Sequence, residues 1–145
     1  MDSAAFFGQL DESGKTLGIR FNHQALMSNT RLALMGGEHA RDHGLYHAYH
    51  DAVFQAYFTD CKDIGDMAVL KSIAESVGLD PEGFEAALLD GRHLPRLQET
   101  TSAARKSGVT AAPTFDIQGY GRLTGAQPLQ TFRAAFAQAL ERERK

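Results

Sequence analysis

Hydrophobic positions recur at helical spacing through the middle of the chain and switch to alternation near its end. Ser28-Asn29-Thr30 offers helix N-caps before an apolar-periodic run that stops near Gly44, a natural C′ residue. A second helix follows over Tyr46–Phe58, with Tyr46, Tyr49, Val53, Ala56 and Tyr57 along one side. A third opens at the N-cap Asp66 and ends at Gly78, its face being Val69, Leu70, Ile73, Ala74 and Val77. Asp80-Pro81 places a cap before a proline at the first helical position and opens a fourth helix through Phe84, Ala87 and Leu88. A fifth covers roughly Leu94 to Ser107 and stops at Gly108. Short joints between these helices predict an antiparallel bundle.

The ends read differently. The first 27 residues are the least regular, turn-like from Gly8 to Gly14, with Leu17-Gly-Ile-Arg-Phe21 as a short predicted strand. Beyond Gly108, Thr114–Gln118 alternates strictly, Gln118-Gly-Tyr-Gly121 is a hairpin turn, and Arg122–Gly125 returns. Gln127-Pro128 then opens a final helix with Leu129, Phe132, Phe136 and Leu140 on one stripe. The fold class is therefore mixed α/β and mainly helical. Three segments are expected: an N-terminal arm with a short strand at 1–27, a helical domain at 28–107, and a hairpin plus helix at 108–145.

Composition narrows the function. With 145 residues, 43% of them hydrophobic, the chain can bury a core of its own. Fifteen Lys+Arg against 18 Asp+Glu give a net charge of −3, without the basic footprint of a nucleic-acid binder. No apolar run exceeds four residues, as in Ala4–Phe7 and Leu32–Met35, so no membrane span or secretory segment is expected and the cytoplasm is the expected compartment. A single cysteine, Cys61, excludes an intrachain disulfide, a Cys-rich zinc module and a C-x-x-C pair within these residues.

Several polar groups invite chemistry. His39 and His43, at i and i+4, have the spacing of paired imidazole metal ligands, with His47, His50, Asp42 and Asp51 nearby. The residue after His39 is Ala40 rather than the Glu of a metalloprotease motif, and Gly44 separates His47 from the pair. A solvated or helix-terminal histidine set is the ordinary reading, with a metal-binding or small-molecule-binding bundle as the alternative. Asp60, Asp63 and Asp66 fail the calcium-loop template, because Lys62, Ile64 and Lys71 occupy ligand positions. Cys61 lies between Asp60 and Lys62 with no resolving thiol, which suits a bystander. The Gly36-Gly37 pair interrupts a helical run, for close packing or for a kink.

The segment Gly108-Val-Thr-Ala-Ala-Pro113-Thr-Phe, continuing to Gly125-Ala-Gln-Pro128, resembles the second half of the DsbA family of the thioredoxin superfamily. It is most similar to the branch of predicted dithiol–disulfide isomerases linked to polyketide biosynthesis. Asn29-Thr30-Arg31, Ala52–Phe58, Asp63–Asp66 and Ala74–Asp80 match that branch in order and spacing, and the likeness covers residues 15 to 141. The resemblance implies a DsbA-like helical insertion domain followed by the C-terminal β-β-α half of a thioredoxin fold. It implies that Pro113 is the family's cis-proline, and that Ala112, Pro113 and Thr114 form a loop that pairs through its main chain with a polypeptide substrate. The family's first β-α-β unit, with its C-x-x-C, has no counterpart here, and Cys61 falls where the family usually carries glycine. Dithiol exchange needs an attacking and a resolving thiol, so the catalytic residues do not carry over. The expectation is a DsbA-like protein that is not redox-active alone, without a cofactor. That protein is expected to associate as a homodimer that pairs edge strands or swaps N-terminal arms; the alternative is the C-terminal part of a split oxidoreductase completed by an N-terminal thioredoxin-like chain.

Overall fold

The structure is a computed structural model, which describes residues 3–143. The chain divides into two compact units, Met1–Gln98 and Glu99–Lys145.

The first unit begins with α1 (Ser3–Lys15), where the sequence predicts a turn-like arm. Local bonds offset its glycines: Lys15 pairs with Asp11 at 3.7 Å and with Glu12, and Ser13 Oγ donates to the Gln9 carbonyl at 2.8 Å. The chain then folds back on Gly14, whose carbonyl accepts from Leu17 N and Ile19 N; a Cβ on Gly14 would sit 2.6 Å from the Ile19 oxygen. The predicted strand over 17–21 does not form. Backbone groups there find partners other than a neighbouring strand: Phe21 N–H donates to the Asp11 carboxylate at 3.0 Å, and the Arg20 carbonyl accepts from Thr59 Oγ1 at 2.8 Å. Just beyond, Asn22 N–H donates to the Phe58 carbonyl at 2.8 Å. The Phe21 bond holds the Asp11 carboxyl below its ordinary range.

The bundle follows: α2 (Arg31–Asp42), α3 (Tyr46–Phe54), α4 (Met67–Ser76), α5 (Pro81–Leu89) and the first turn of α6 (Leu94–Lys106). Its starts and stops are set by side chains. Asn29 Oδ1 accepts from Arg31 N, Asp66 from Ala68 N at 2.7 Å, and Asp80 from Gly83 N at 2.8 Å. Gly44 and Gly78 take positive φ at the ends of α2 and α4. Tyr49, Leu70 and Phe84 are the largest fully buried side chains, with Met35, Ile73 and Leu88 around them. Each of the wholly apolar side chains among them contributes about 1.5–3 kcal/mol by leaving water.

Gly36 resolves the glycine pair in favour of close packing: a Cβ there would lie 2.3 Å from Tyr49 Oη and 2.7 Å from Phe84 Cζ. Gly37 has ordinary space, its nearest neighbour being the Tyr46 ring at 3.5 Å. The second predicted helix is not α-helical throughout. After Phe54 it loosens into a π-helical segment, Gln55–Thr59, closed by Asp60 N–H on the Gln55 carbonyl at 3.0 Å.

The second unit takes up the rest of α6, which ends at Gly108 with φ +85. A two-stranded antiparallel sheet follows, β1 (Thr114–Ile117) and β2 (Gly121–Thr124), in the register Thr114↔Thr124 through Ile117↔Gly121. α7 (Leu129–Glu143) packs against β1, with the Phe115 and Phe132 rings edge-on at 4.9 Å. Gly119, with φ +78, lets the turn sit on α7, where a Cβ would meet the Ala139 carbonyl at 3.3 Å. Of the polar positions of the alternation, Asp116 and Gln118 are exposed and Thr114 is half-buried; Asp116 is paired with Arg122 at 2.7 and 2.9 Å, and Arg122 also donates to the Ser107 carbonyl at 2.7 Å. Asp116 is thereby held below the usual carboxylate range. The mixed, mainly helical fold class is the one observed.

Candidate functional site

Two places in the fold carry chemistry, one in each unit, and a third offers space.

In the second unit, the Ala112–Pro113 peptide bond is cis, and Ala112 and Pro113 are exposed. Gly125 N–H donates to the Pro113 carbonyl at 2.8 Å, and Thr114 Oγ1 donates to the Ala111 carbonyl. The Gly125–Pro113 bond fixes the phase of the ladder, because hydrogen-bonded positions alternate along an antiparallel pair. Phe115 and Ile117 face β2 with their main-chain groups; Thr114 and Asp116 direct theirs to the outer edge of β1. Among the described residues the sheet has two strands, so no strand pairs with that edge. Beside it, Phe115, Phe136 and Leu140 stay substantially exposed on the face shared by β1 and α7.

In the first unit, the histidines predicted from spacing are only partly brought together. His39 and His43 lie with ring centroids 4.4 Å apart, but His43 Nδ1 donates to the His39 carbonyl at 2.9 Å. His50 instead stacks on Phe54 at 4.3 Å, and the His47 ring meets Tyr46 edge-on. The true partner of His39 is His93, 54 positions along the chain and outside every sequence pattern: His93 Nε2 and His39 Nδ1 are 3.4 Å apart. His39 is 7% exposed and His93 5%. Arg96 holds this pair, with Nη2 3.2 Å from His93 Nδ1, two hydrogen bonds donated to the Asp42 carboxylate at 2.8 Å each, and Nε 3.0 Å from Glu38. Burial lowers the proton affinity of both histidines, for His39 aided by His43. The Arg96 bond in turn holds Asp42 below the carboxylate range. Among the described residues, no group of three or more His, Cys, Asp or Glu side chains could hold a metal ion.

The space is a cavity of about 380 Å³ in the first unit, walled by Leu34, Tyr46, Phe54, Tyr57 and Phe58 and edged by Glu38. The sequence places Tyr46 and Tyr57 on one helix stripe but not Phe54 or Phe58, and the loosened turn at Gln55–Thr59, which places Tyr57 and Phe58, has no signature in it. The acidic group at 60–66 makes turn bonds instead of a calcium cage, with Asp63 accepting from Gly65 N and Asp66 capping α4. Cys61 is exposed, at φ +54, with its Sγ 3.6 Å from the His23 carbonyl. No described helix is long and apolar enough to cross a membrane.

Known proteins share this architecture. The crystal structure of a probable DsbA oxidoreductase from Streptomyces coelicolor matches with a TM-score of 0.83 over 94% of this chain and 60% of its own, at 24% identity. The uncharacterized Bacillus subtilis (strain 168) protein YwbO is 33% identical over 124 residues, 83% of this chain and 62% of YwbO. The chain thus spans less than two thirds of either protein. The family described as DSBA-like thioredoxin domain matches residues 3–137. By that match, and by the fold it shares with the Streptomyces protein, the chain belongs to the DSBA-like thioredoxin domain family.

Proposed function

We propose that these residues form the polypeptide-holding portion of a thiol–disulfide oxidoreductase-like protein and perform no dithiol exchange by themselves. The observation that carries the reading is the free outer edge of β1 directly after Pro113, flanked by the uncovered Phe115, Phe136 and Leu140. An extended peptide adds to such an edge through its main chain, with apolar side chains taken up alongside. Ala112, Pro113 and Thr114 are the loop residues assigned to this contact. Cys61 is the one cysteine of the sequence, which leaves exchange without a resolving thiol.

Two measurements test the reading. Insulin reduction by the chain alone is expected to be blank, and sustained turnover refutes the non-redox part. A fluorescent extended peptide is expected to bind, and Asp116→Pro to abolish binding by deleting an outward N–H while leaving the ladder intact. Asp116→Ala keeps that N–H and is the control; equal binding by Asp116→Pro and the parent chain refutes the edge contact.

A second reading is favoured by the exposed Phe115, Phe136 and Leu140 on the β1–α7 face. In it, a separate thioredoxin-like polypeptide supplies the C-x-x-C unit and covers the β1–α7 face. Co-purification of the chain with a C-x-x-C-bearing β-α-β polypeptide, with insulin reduction gained only by the pair, is the expected result. Formation of a homodimer instead, seen by light scattering at micromolar concentration, assigns the face to a second copy and refutes this reading.

A further inference from the structure

We propose that His39 and His93 form an acid-sensitive clasp that fastens the first turn of α6 to α2 when both rings are neutral and releases it when they are protonated. The inference stands apart from the function proposed above and uses none of its residues.

Hydrogen-bond polarity sets the neutral state. Arg96 can only donate, so His93 Nδ1, 3.2 Å away, accepts and carries no proton. The proton of a neutral His93 is then on Nε2, which donates to His39 Nδ1 at 3.4 Å. His39 must therefore be bare at Nδ1 and protonated at Nε2. Each ring accepts at one nitrogen, and the run from Arg96 through His93 to His39 has one consistent direction. Adding a proton to either ring breaks that direction. On His39 it sets two N–H groups against each other across the 3.4 Å contact. On His93 it sets an N–H against the Arg96 guanidinium, and the carboxylate oxygen beside Nδ1, Asp42 Oδ2 at 3.6 Å, is already held by Arg96.

The surrounding charges act in both directions. From α2 and its C-cap, His43 disfavours charge on His39 while Asp42 favours it, and Glu38 holds Arg96. From the joint between α5 and α6, Arg92 disfavours charge on both rings and Asp90 favours it on His93. From α5, the uncharged Phe84 ring packs edge-on against His39 at 5.6 Å. Burial is the largest influence on both rings, and the balance lowers their proton affinity. The folded rings hold protons less tightly than the unfolded chain does. The contribution of the neutral pair is thus complete above about pH 6.5 and is lost as pH falls towards the depressed folded values. Leu97 and Glu38, on the two elements that the clasp joins, also line the aromatic-walled cavity, so release loosens one wall of that cavity.

The test is amide hydrogen exchange on the whole chain at pH 7.5 and 5.5, corrected for intrinsic rates, comparing residues 91–98 with α4. Protection in 91–98 is expected to fall at the lower pH by up to about tenfold per histidine, the factor by which an ordinary imidazole favours an opened state there. Protection in α4 is expected to hold. His93→Gln and His39→Gln, whose amides preserve a donor and an acceptor, should each flatten the response. Unchanged protection in 91–98, or an equal loss in α4, overturns the clasp. If either variant fails to fold, NMR titration of the parent chain decides: both rings must titrate below the ordinary range, and a normal titration of either overturns the proposal.

Discussion

Two adjacent glycines should respond to the same substitution with opposite signs. Gly36 and Gly37 both lie within α2, so replacing either with alanine gains about 1 kcal/mol of helix propensity. At position 37 that gain stands alone, because the new methyl reaches the Tyr46 ring only at ordinary contact distance, 3.5 Å. At position 36 the methyl would lie 2.3 Å from Tyr49 Oη and 2.7 Å from Phe84 Cζ. Both rings are buried, Tyr49 at 1% exposure and Phe84 at 0%, so the new methyl must displace core side chains. Overpacking a rigid core costs about 1–3 kcal/mol, and contacts this short fall in the upper part of that range. The net effect of Gly36→Ala is therefore a loss of about 1–2 kcal/mol, against a gain of about 1 kcal/mol for Gly37→Ala. Urea unfolding followed by circular dichroism at 222 nm reads both. With a slope of about 2 kcal/mol per molar urea, the midpoint should fall by roughly 0.5–1 M for Gly36→Ala and rise by about 0.5 M for Gly37→Ala. A Gly36→Ala midpoint at or above the parent's would refute the close-packing argument. Tyr49→Phe, which removes the nearest atom, should recover part of the loss in the double variant, and strict additivity would count equally against it.

Tyr49→Phe alone should change stability by less than about 1 kcal/mol or raise it, because the buried Tyr49 hydroxyl has no hydrogen-bond partner; a loss above about 2 kcal/mol in urea would contradict that. Asp80→Ala removes the side-chain cap of α5 and should cost about 1 kcal/mol in the same assay, whereas Asp80→Ser should cost much less. Phe84→Ala, at a site with no exposure, should cost about 3–5 kcal/mol and is expected to lower the melting temperature by more than any other single change named here. Arg122→Ala releases both Asp116 and the Ser107 carbonyl, so hydrogen exchange should quicken in β1 and β2 while α2 to α5 keep their protection.

What could be read from the sequence follows from how local each determinant is. The caps at Asp66 and Asp80, the proline at 81 and the glycine stops at 44, 78 and 108 act within a turn of their own position, and the structure places them as read. The Phe115/Ile117 alternation and the turn at Gly119 are equally local. Leu17–Phe21 has strand-like alternation, yet its backbone is satisfied by Asp11 and Thr59, which no short window contains. The helix before it contains two glycines and a Phe-Phe pair without a clear stripe; i, i+3 and i, i+4 charge pairs around Lys15 support it. His39 is a similar case. Its spacing to His43 suggests a pair, but a contact 54 residues away determines which ring it meets. The sequence leaves position 36 open for the same reason, since only Tyr49 and Phe84, brought in by α3 and α5, show why a side chain is excluded.

The widened turn at Gln55–Thr59 bears on how relatives of this chain should be aligned. A gap of one residue normally belongs in a loop, where the chain absorbs it. Here, one residue removed from inside a helix would restore ordinary α-helical pitch without breaking the element. Everything after it would rotate by roughly 100° about the axis. Thr59 would then turn away from the Arg20 carbonyl, and Phe58 from the Phe21 ring that it meets at 5.6 Å. A relative one residue shorter at this point should therefore differ in residues 20–22 as well, and an alignment that moves the gap to the turn after Thr59 would conceal that linkage.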